Sequence, residues 1–439
     1  MSASRETIAA RATGPGHGGI GIIRISGPAA DRILQDLAGV CPAPRQAVLR
    51  PFRDAAGRAI DTGLILRLPG PHSYTGEDTV ELHGHGGPAV LDAVLARVLE
   101  LGARPARPGE FTERAFLNGR LDLAQAEAVA DLIETADAAG ARAAMRSLSG
   151  EFSRRIRALS EELTALRAWI EAALDFPEDD VDFLADRALD ARLGALIEDC
   201  ERVRTAAVTG RRLIEGATLV IAGAPNAGKS SLLNRLAGTD AAIVTEIPGT
   251  TRDVLREPIR LDGLPVTVID TAGLRLTQDP VEREGVRRAQ AAVADADRVL
   301  LVIDASDPQS LPEPLPAGVP VDCVYNKTDL APEHDAADGF PISALTGAGM
   351  EDLRAHLRAV LLPAAAEESA FSARRRHLDA LDEATAAIRA ARAELLHTGA
   401  GELAAEQLRG AQQALGTITG EVTTEDLLGE IFGRFCIGK

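Results

Sequence analysis

The chain has 439 residues, 46% hydrophobic and 26% charged, which is enough for two or three domains with buried cores. Its net charge of −18, from 47 basic and 65 acidic residues, excludes nucleic-acid binding based on overall charge, so such binding needs a local basic patch or a partner's surface. There is no apolar run of about 18 residues, no signal-like apolar core near the start and no cysteine spacing typical of a zinc or disulfide framework, so we predict a cytoplasmic protein without membrane contact.

Proline and helix-former content divide the chain into four segments. Residues 1–119 and 214–363 hold most of the prolines and alternate strand-like and helix-like patterns, which indicates mixed α and β structure. Residues 120–213 and 364–439 are rich in Ala, Leu, Glu and Arg, with apolar residues every three to four positions, which predicts long amphipathic helices. One helical domain interrupted by an insertion is the simplest arrangement, and two separate helical domains are the alternative.

The clearest motif opens the third segment. The apolar run 218–222 predicts a strand, and Gly223, Gly228, Lys229 and Ser230 then match G-x-x-x-x-G-K-[ST] ahead of a predicted helix. Glycines allow successive N–H groups to face phosphate, Lys reaches the β and γ phosphates, and the hydroxyl ligates Mg²⁺. This context predicts a phosphate-binding loop, which also includes Asn226, Ala227 and Ser231.

A second segment, "AAIVTEIPGTTRDV", is typical of a switch loop that senses the γ-phosphate. Thr250 and Thr251 carry hydroxyls, one of which would ligate Mg²⁺ only in the triphosphate state. A β-turn at Pro248 and Gly249 is compatible with this role. The predicted nucleotide contacts here are Thr245, Glu246, Ile247, Pro248, Gly249, Thr250 and Thr251.

A third motif, D-T-A-G, follows the run "LPVTVI". It places Asp270 at the end of a predicted strand, where a magnesium ligand belongs, with Thr271, Ala272 and Gly273 beside the γ-phosphate. The next residue is Leu274, which cannot orient water as the Gln of Ras does. Either the protein hydrolyses its nucleotide poorly, or another group orients the attacking water. Glu282 is a candidate for that role, and its alternative role is to interact with the dipole of a helix at its start.

The fourth motif predicts which nucleotide base the protein binds. Asn326, Lys327 and Asp329 form N-K-x-D after an apolar strand, and Ser343 and Ala344 match a loop that packs on the base. An Asp carboxylate accepts two hydrogen bonds from the ring N–H and exocyclic amine of guanine, a pair that adenine lacks. The order of the motifs therefore predicts GTP as the ligand rather than ATP.

Asn226 has two interpretations from chemistry alone. Its amide oxygen is suited to a monovalent cation, such as K⁺, near the β and γ phosphates, where positive charge acts as an arginine finger does. It is equally suited to a hydrogen bond within the loop. The motifs together predict the fold class: an α+β N-terminal domain plus an all-α helical domain with an inserted Ras-like α/β P-loop GTPase domain.

With these residues identified, the whole chain resembles the MnmE (TrmE) family of tRNA-modification GTPases. The resemblance rests on "GGIGIIRISGPAA", "HSYTGEDTVELHGHGGPAV", "RPGEFTERAFLNGRLDLAQAEAVADLI", "NAGKSSLLNRLAG", "IVTEIPGTTRDVL", "DTAGLR" and "EIFGRFCIGK". It implies a homodimeric, K⁺-dependent GTP hydrolase. With an FAD-dependent partner of the MnmG type, in a heterotetramer, such proteins modify carbon 5 of the wobble uridine of certain tRNAs.

The resemblance also implies roles for individual residues of the GTPase segment. Lys229 and Glu282 would be catalytic, Glu282 by positioning the attacking water. Mg²⁺ would be held by Ser230 and Thr251, and K⁺ by Asn226, Thr245, Ile247 and Thr250.

For the N-terminal segment the resemblance implies a tetrahydrofolate-binding domain at 1–119. The one-carbon donor would be 5-formyl- or 5,10-methylene-tetrahydrofolate, contacted by Arg24, Glu81, Arg120 and Lys439. Arg120 departs from the Lys associated with that position, which keeps the charge but changes the geometry. Cys436 is a candidate functional thiol.

Two rival functions belong to other classes. A ribosome-docking GTPase of the Era or Der type is disfavoured by the acidic balance and the absence of a recognisable RNA-binding module. A non-catalytic GTP switch is supported by Leu274, and K⁺-dependent hydrolysis would exclude it.

Overall fold

The computed structural model describes residues 6–135, 137–175, 187–238, 256–261, 263–270, 296–307, 318–331, 339–363 and 370–438. Its contacts divide the chain into two compact units. Unit 1 comprises 1–133, 147–189 and 386–439, and unit 2 comprises 134–146 and 190–385. Two six-stranded sheets occur among the described residues, one in each unit.

The first sheet lies in unit 1. Its strands are β1 (Ile8–Arg11), β2 (Gly18–Ser26), β3 (Val48–Arg53), β4 (Ala59–Leu68), β5 (Thr79–Gly86) and β6 (Arg104–Pro105). They run in the order β3-β4-β5-β2-β1-β6, antiparallel except for the parallel pair β1 and β6. Arg24 of β2 is therefore directly opposite Ala10 of β1 on one side and Glu81 of β5 on the other.

One face of this sheet forms the apolar core of the N-terminal domain. Helices α1 (Ala30–Ala38) and α2 (Pro88–Glu100) bury Ile33, Leu37 and Val94 against strand residues such as Ile23 and Leu82. Alternation along β2 places Ile23 and Ile25 in this core and Arg24 on the opposite face. A smaller cluster covers that opposite face, formed by Ile8, Ala10, Ala106 and Phe111 with Tyr74 packed against it.

Helices make up the rest of unit 1. They are α3 (Glu110–Leu117), α4 (Leu123–Glu134), α5 (Ala138–Leu148, which ends in this unit), α6 (Glu151–Asp175), and, after unit 2, α11 (Gly401–Thr419) and α12 (Glu425–Gly433). Helices α6 and α11 pack along each other, and Gln412 accepts from Arg167 at 2.9 Å and donates to Thr164 at 3.0 Å. Residues far apart in sequence thus form one helical body.

A buried charge network fixes the first turn of α3. The carboxylate of Glu110, 2% exposed, accepts from both terminal nitrogens of Arg104 at 2.6 and 2.8 Å, from Arg114 at 3.0 Å and from the Arg107 amide at 2.9 Å. Arg114 also donates to Glu77 at 2.9 Å. Burial alone would raise the pKa of Glu110, but these donors outweigh it and lower the pKa to about 2.

The network gives a pH-dependent prediction. Because the folded pKa of Glu110 is below its ordinary 4.5, the stability it contributes is complete above about pH 4.5 and is lost as pH falls through about 2. We expect Glu110→Gln to lower the free energy of opening α3 by about 3 kcal/mol at pH 7, with the difference shrinking as pH falls from about 4.5 toward about 2. Amide hydrogen exchange of residues 110–117 measures this free energy of opening.

The control for this prediction is Glu113→Gln, which removes the more exposed ion pair of Glu113 with Arg107. A partly exposed pair contributes less than about 1 kcal/mol, so exchange is expected to change little. Equal protection losses in both variants, or a loss in Glu110→Gln that does not depend on pH, would contradict the account.

The second sheet lies in unit 2. Its strands are β7 (Ala217–Gly223), β8 (Arg256–Leu261), β9 (Leu264–Asp270), β10 (Arg298–Asp304), β11 (Val321–Asn326) and β12 (Phe340–Pro341), in the order β12-β11-β10-β7-β9-β8. All neighbours are parallel except the β8–β9 hairpin. Helices α8 (Lys229–Ala237) and α9 (Met350–Leu361) pack leucines into its core. Since ligands bind at the carboxyl ends of parallel strands, the topology places a site after β7, β9 and β11.

Two long helices join this sheet to the rest of the chain. They are α7 (Arg187–Glu215) and α10 (Arg375–His397). Within unit 2, Asp297 accepts from Arg211 at 2.8 Å and from Arg212 at 2.9 Å, and it also accepts from the Thr218 amide at 2.9 Å. Arg212 also donates to the Leu361 carbonyl, the last residue of α9, at 2.9 Å. The two chain ends of the α/β module therefore lie side by side.

The predicted fold class is confirmed: an α+β N-terminal part, helices and an inserted parallel α/β sheet are all present. The domain boundaries 1–119, 120–213, 214–363 and 364–439 stay predictions. Among the described residues, no helix is long and apolar enough to span a membrane.

Candidate functional site

The loop between β7 and α8 has the backbone of a phosphate-binding loop. Gly223 has φ +153°, and a Cβ there would lie 2.3 Å from the Val302 carbonyl oxygen. Gly228 has φ +96°, and a Cβ there would lie 2.1 Å from the amide nitrogen of Asn326. Asn226 between them has φ +63°, a conformation that Asn tolerates better than most residues. The loop therefore needs glycine at both ends.

Lys229 is the first residue of α8 and is 8% exposed. Its ammonium donates to the carbonyls of Gly223 and Ala224 at 2.8 and 2.9 Å, so the side chain folds back over the loop. A cation beside a helix N-terminus favours anions at this position. Ser230 and Ser231 follow in the first turn and are exposed.

Asn326 joins the phosphate loop to the predicted base loop. It ends β11, is 2% exposed, donates to the Ala227 carbonyl at 2.9 Å and accepts from the Ala344 amide at 2.9 Å. Both ends of its side-chain amide are therefore satisfied within the protein. The structure thus brings together predicted site residues that are about a hundred positions apart in sequence.

Lys327 and Asp329 follow Asn326. Lys327 has φ +67° and its ammonium lies 2.5 Å from a carboxylate oxygen of Asp304, at the end of β10. Burial would raise the pKa of Asp304, but hydrogen bonds from Lys327 and Ser306 outweigh it and lower the pKa of this carboxyl below its ordinary value. Asp329 is exposed, which leaves its carboxylate accessible to a base.

The base loop, residues 343–347, is a tight turn between β12 and α9. Ser343 and Ala344 are buried, and the Ser343 hydroxyl accepts from the Thr346 amide at 3.1 Å. The Gly347 amide donates to the Ser343 carbonyl at 2.8 Å. These internal bonds give the loop one shape.

Several predicted residues lie outside the described residues: Thr245, Glu246, Ile247, Pro248, Gly249, Thr250, Thr251, Thr271, Ala272, Gly273, Glu282 and Lys439. Asp270 is described only by its backbone, which ends β9 in register with Ile221. The predicted strand before D-T-A-G is therefore confirmed.

A second cluster lies on the N-terminal sheet. The Arg24 guanidinium donates from Nε to Glu81 at 3.0 Å, and its terminal nitrogen lies 2.9 Å from the same oxygen. The other Glu81 oxygen lies 3.1 Å from the His83 ring. Rings of Tyr74 and Phe111 lie 5.5 and 5.8 Å from the guanidinium carbon. This half-buried cation, with a carboxylate beside it and aromatic rings around it, suits a flat, polar heterocycle with an acidic tail.

The sequence pattern singled out neither Tyr74 nor Phe111. Tyr74 lies in the loop before β5, where its hydroxyl is 2.8 Å from the Thr112 hydroxyl, and burial raises the pKa of Tyr74. Phe111 is fully buried in α3. The quoted segments around "HSYTGED" and "GEFTERAF" contained both residues, but only the fold shows that they meet at Arg24.

Arg120 and Cys436 are two further candidates, and each contacts a residue close in sequence to Tyr74 or Phe111. Arg120 is exposed, and its Cγ lies 3.3 Å from where a Cβ on Gly76 would stand, in the Tyr74 loop. Cys436 is an exposed free thiol whose carbonyl accepts from the Gly109 amide at 3.4 Å. Ile437 pairs with Pro108, so the chain end is joined to the start of α3.

Two protein-family models match the chain. The model described as "GTP-binding protein TrmE N-terminus" matches residues 7–120, and the "MnmE helical domain" model matches residues 123–436, which is well over half of the chain.

Curated relatives match over the full length. The "tRNA modification GTPase MnmE" of Pseudomonas paraeruginosa is 57% identical, with 100% of both chains covered. The protein of the same name from Chromohalobacter salexigens is 55% identical over 99% of this chain and 98% of its own. Among solved structures, the G domain of the T. maritima FeoB iron transporter has 24% identity and a TM-score of 0.25, covering 33% of this chain and 98% of that chain.

Proposed function

This chain belongs to the MnmE family of tRNA modification GTPases, and from that premise we propose a K⁺-dependent GTP hydrolase that acts on the wobble uridine of certain tRNAs. The modification is addition of an aminomethyl or carboxymethylaminomethyl group at carbon 5. The chain acts as a homodimer with an FAD-dependent partner of the MnmG type in a heterotetramer, using a tetrahydrofolate one-carbon donor. Because this chain has a net charge of −18, the partner supplies the basic surface that binds the tRNA backbone.

One observation supports the nucleotide part most strongly. Asn326 holds the phosphate loop at Ala227 and the base loop at Ala344, so a guanine nucleotide can bind to a preformed frame. In the proposal, Lys229 neutralises the β and γ phosphates, and Asp329 accepts from guanine. Glu282 positions the attacking water in place of the missing Gln.

The proposed metal ligands fit where they are described. Ser230 is exposed in the first turn of α8, next to Lys229, which suits a hydroxyl ligand of Mg²⁺ shared with the nucleotide. Asn226 is exposed at the turn of the loop, so its amide oxygen is accessible to K⁺. Thr251 completes the proposed Mg²⁺ set, and Thr245, Ile247 and Thr250 the K⁺ set. A K⁺ there would supply positive charge to the developing transition state.

The K⁺ proposal predicts a salt-specific rate. We expect GTP turnover at least several-fold faster in KCl than in NaCl at equal ionic strength, since each tenfold gain needs about 1.4 kcal/mol of transition-state stabilisation. Asn226→Ala is expected to remove that ratio. Because the readout is a ratio of two rates, backbone strain from the alanine cancels.

Asn234→Ala is the matched control, an exposed Asn on α8 outside the loop, and it is expected to retain the ratio. Equal rates of the wild type in both salts would exclude K⁺ ligation. Such a result with slow turnover would favour the non-catalytic switch that Leu274 suggests.

The Arg24–Glu81 cluster supports the proposed folate site. The pterin ring would place its amine and ring N–H toward Glu81, the glutamate tail needs cations such as Arg24 and Arg120, and Lys439 is the fourth proposed contact. The bound folate supplies a one-carbon unit for transfer to the uridine. Cys436 is retained as a candidate thiol in that reaction.

The function is tested in a strain lacking this chain. We expect the wild type to restore C5-modified wobble uridine, measured by mass spectrometry of tRNA nucleosides. Arg24→Gln is expected to lower the modification about 10- to 100-fold at limiting folate, since it removes a charge-assisted contact to the donor, while GTP turnover is unchanged. Arg58→Gln, on an exposed turn, is the control. Full modification in the deletion strain would favour the ribosome-docking alternative.

A further inference from the structure

Arg235 contacts the base loop from the far end of the phosphate-loop helix. It lies in the last turn of α8, whose first turn begins with Lys229. Its terminal nitrogen donates to the Leu345 carbonyl at 3.1 Å. A Cβ on Gly347 would lie only 2.9 Å from the same nitrogen and 3.4 Å from the guanidinium carbon. The guanidinium therefore packs closely against the turn of the base loop.

The base loop is held by a second side-chain hydrogen bond, the contact with Arg235, in addition to that of Asn326. Its buried start is held at Ala344 by Asn326, whereas Leu345, the next residue, is 81% exposed and its carbonyl bonds to Arg235. Internal bonds of the loop fix its shape, but they do not fix its position relative to α8. Arg235 supplies a second point of attachment. With both attachments, the base loop is held in one orientation relative to α8.

A second arginine, on α9, contacts the same end of α8. Arg354 of α9, the helix that follows the base loop, donates to the Leu236 carbonyl in the last turn of α8 at 2.8 Å. The base loop and α9 are thus attached to the same end of α8 by two side chains running in opposite directions. The first turn of that helix faces the phosphates, so the base loop and the phosphate loop share one rigid element.

We propose that Arg235 is a positioning residue for guanine recognition, acting by holding residues 345–347 of the base loop against α8. The proposal rests on the guanine site proposed above. Arg235 itself does not touch the reacting phosphates, because its residue is six positions, about 9 Å, along the helix from Lys229. Its loss therefore affects the affinity for the base rather than the chemical step.

The test measures binding of GDP and of ADP, with turnover of GTP at saturation, in the full chain. Arg235→Ala is expected to weaken GDP binding about 3- to 10-fold, the range for one solvent-exposed hydrogen bond, and to leave ADP binding and saturated kcat unchanged. Arg235→Lys retains one donor and is expected to recover part of the loss.

Arg260→Ala is the matched control. Arg260 is also directed at a backbone carbonyl of a turn, that of Gly263 at 3.5 Å, but in the β8–β9 hairpin at the other edge of the sheet. A GDP affinity of Arg235→Ala within twofold of the wild type, or a loss of kcat in parallel with affinity, would overturn the proposal. A wild-type chain that binds ADP as tightly as GDP would instead overturn the guanine site itself.

Discussion

Gly228→Ala is expected to weaken GTP and GDP binding on the order of 10²- to 10³-fold. The added Cβ would lie 2.1 Å from the amide nitrogen of Asn326. That side chain cannot move aside cheaply, because it is 2% exposed and bonded at both ends to Ala227 and Ala344. Either the phosphate loop or the bridge to the base loop must yield, and each buried bond lost costs about 1–3 kcal/mol.

Gly263→Ala separates this collision from simple backbone strain. Gly263 has φ +88°, close to the +96° of Gly228, but no atom lies within 4 Å of a Cβ there. We expect it to cost about 1 kcal/mol of stability and to leave nucleotide affinity unchanged. Fluorescent-nucleotide titration of both variants measures the difference. Wild-type affinity in Gly228→Ala would show that the Asn326 bridge is not part of the nucleotide site.

Asp329→Asn is expected to reverse the base preference. In the proposed guanine site the carboxylate accepts from two guanine donors, so loss of two charge-assisted hydrogen bonds is expected to weaken GDP binding about 10²- to 10⁴-fold. The Asn amide can donate to the C2 carbonyl of xanthine, which the carboxylate repels. XDP should therefore bind the variant more tightly than GDP does, in competition titrations with both nucleotides.

The accessible position of Asp329 allows this change without disturbing the core. Asp307→Asn, on another exposed loop of the same module, is the control and should keep the preference for GDP. If Asp329→Asn still prefers GDP over XDP, N-K-x-D does not read the base in this chain, and the assignment of the guanine site is wrong.

The nucleotide loop could be predicted from sequence because its constraints are local. The strand, the turn with Gly223 and Gly228, and the helix beginning at Lys229 follow each other directly, and the structure confirms each element. The Asp304 partner of Lys327 was missed because it depends on strand pairing. Asp304 stands opposite Asn326 in the β10–β11 register, which no periodicity within either strand reveals.

The N-terminal site shows the same limit more strongly. Arg24 and Glu81 were placed by resemblance, and their contact follows from β2 pairing with β5. Tyr74 and Phe111 lie in a loop and a helix that are far apart in sequence. The sequence around an aromatic residue does not indicate which cation its ring will contact in the folded protein.

The hydrogen bond from Arg212 to the Leu361 carbonyl has an evolutionary consequence. A module whose first and last residues are neighbours can enter a host protein between two adjacent residues, because the host chain is interrupted without being stretched. A single fusion of genes would then suffice to place a ready-made nucleotide-binding module within a helical protein. The same adjacency makes the reverse operation practical, since closing a gap this small with a few glycines costs little chain entropy.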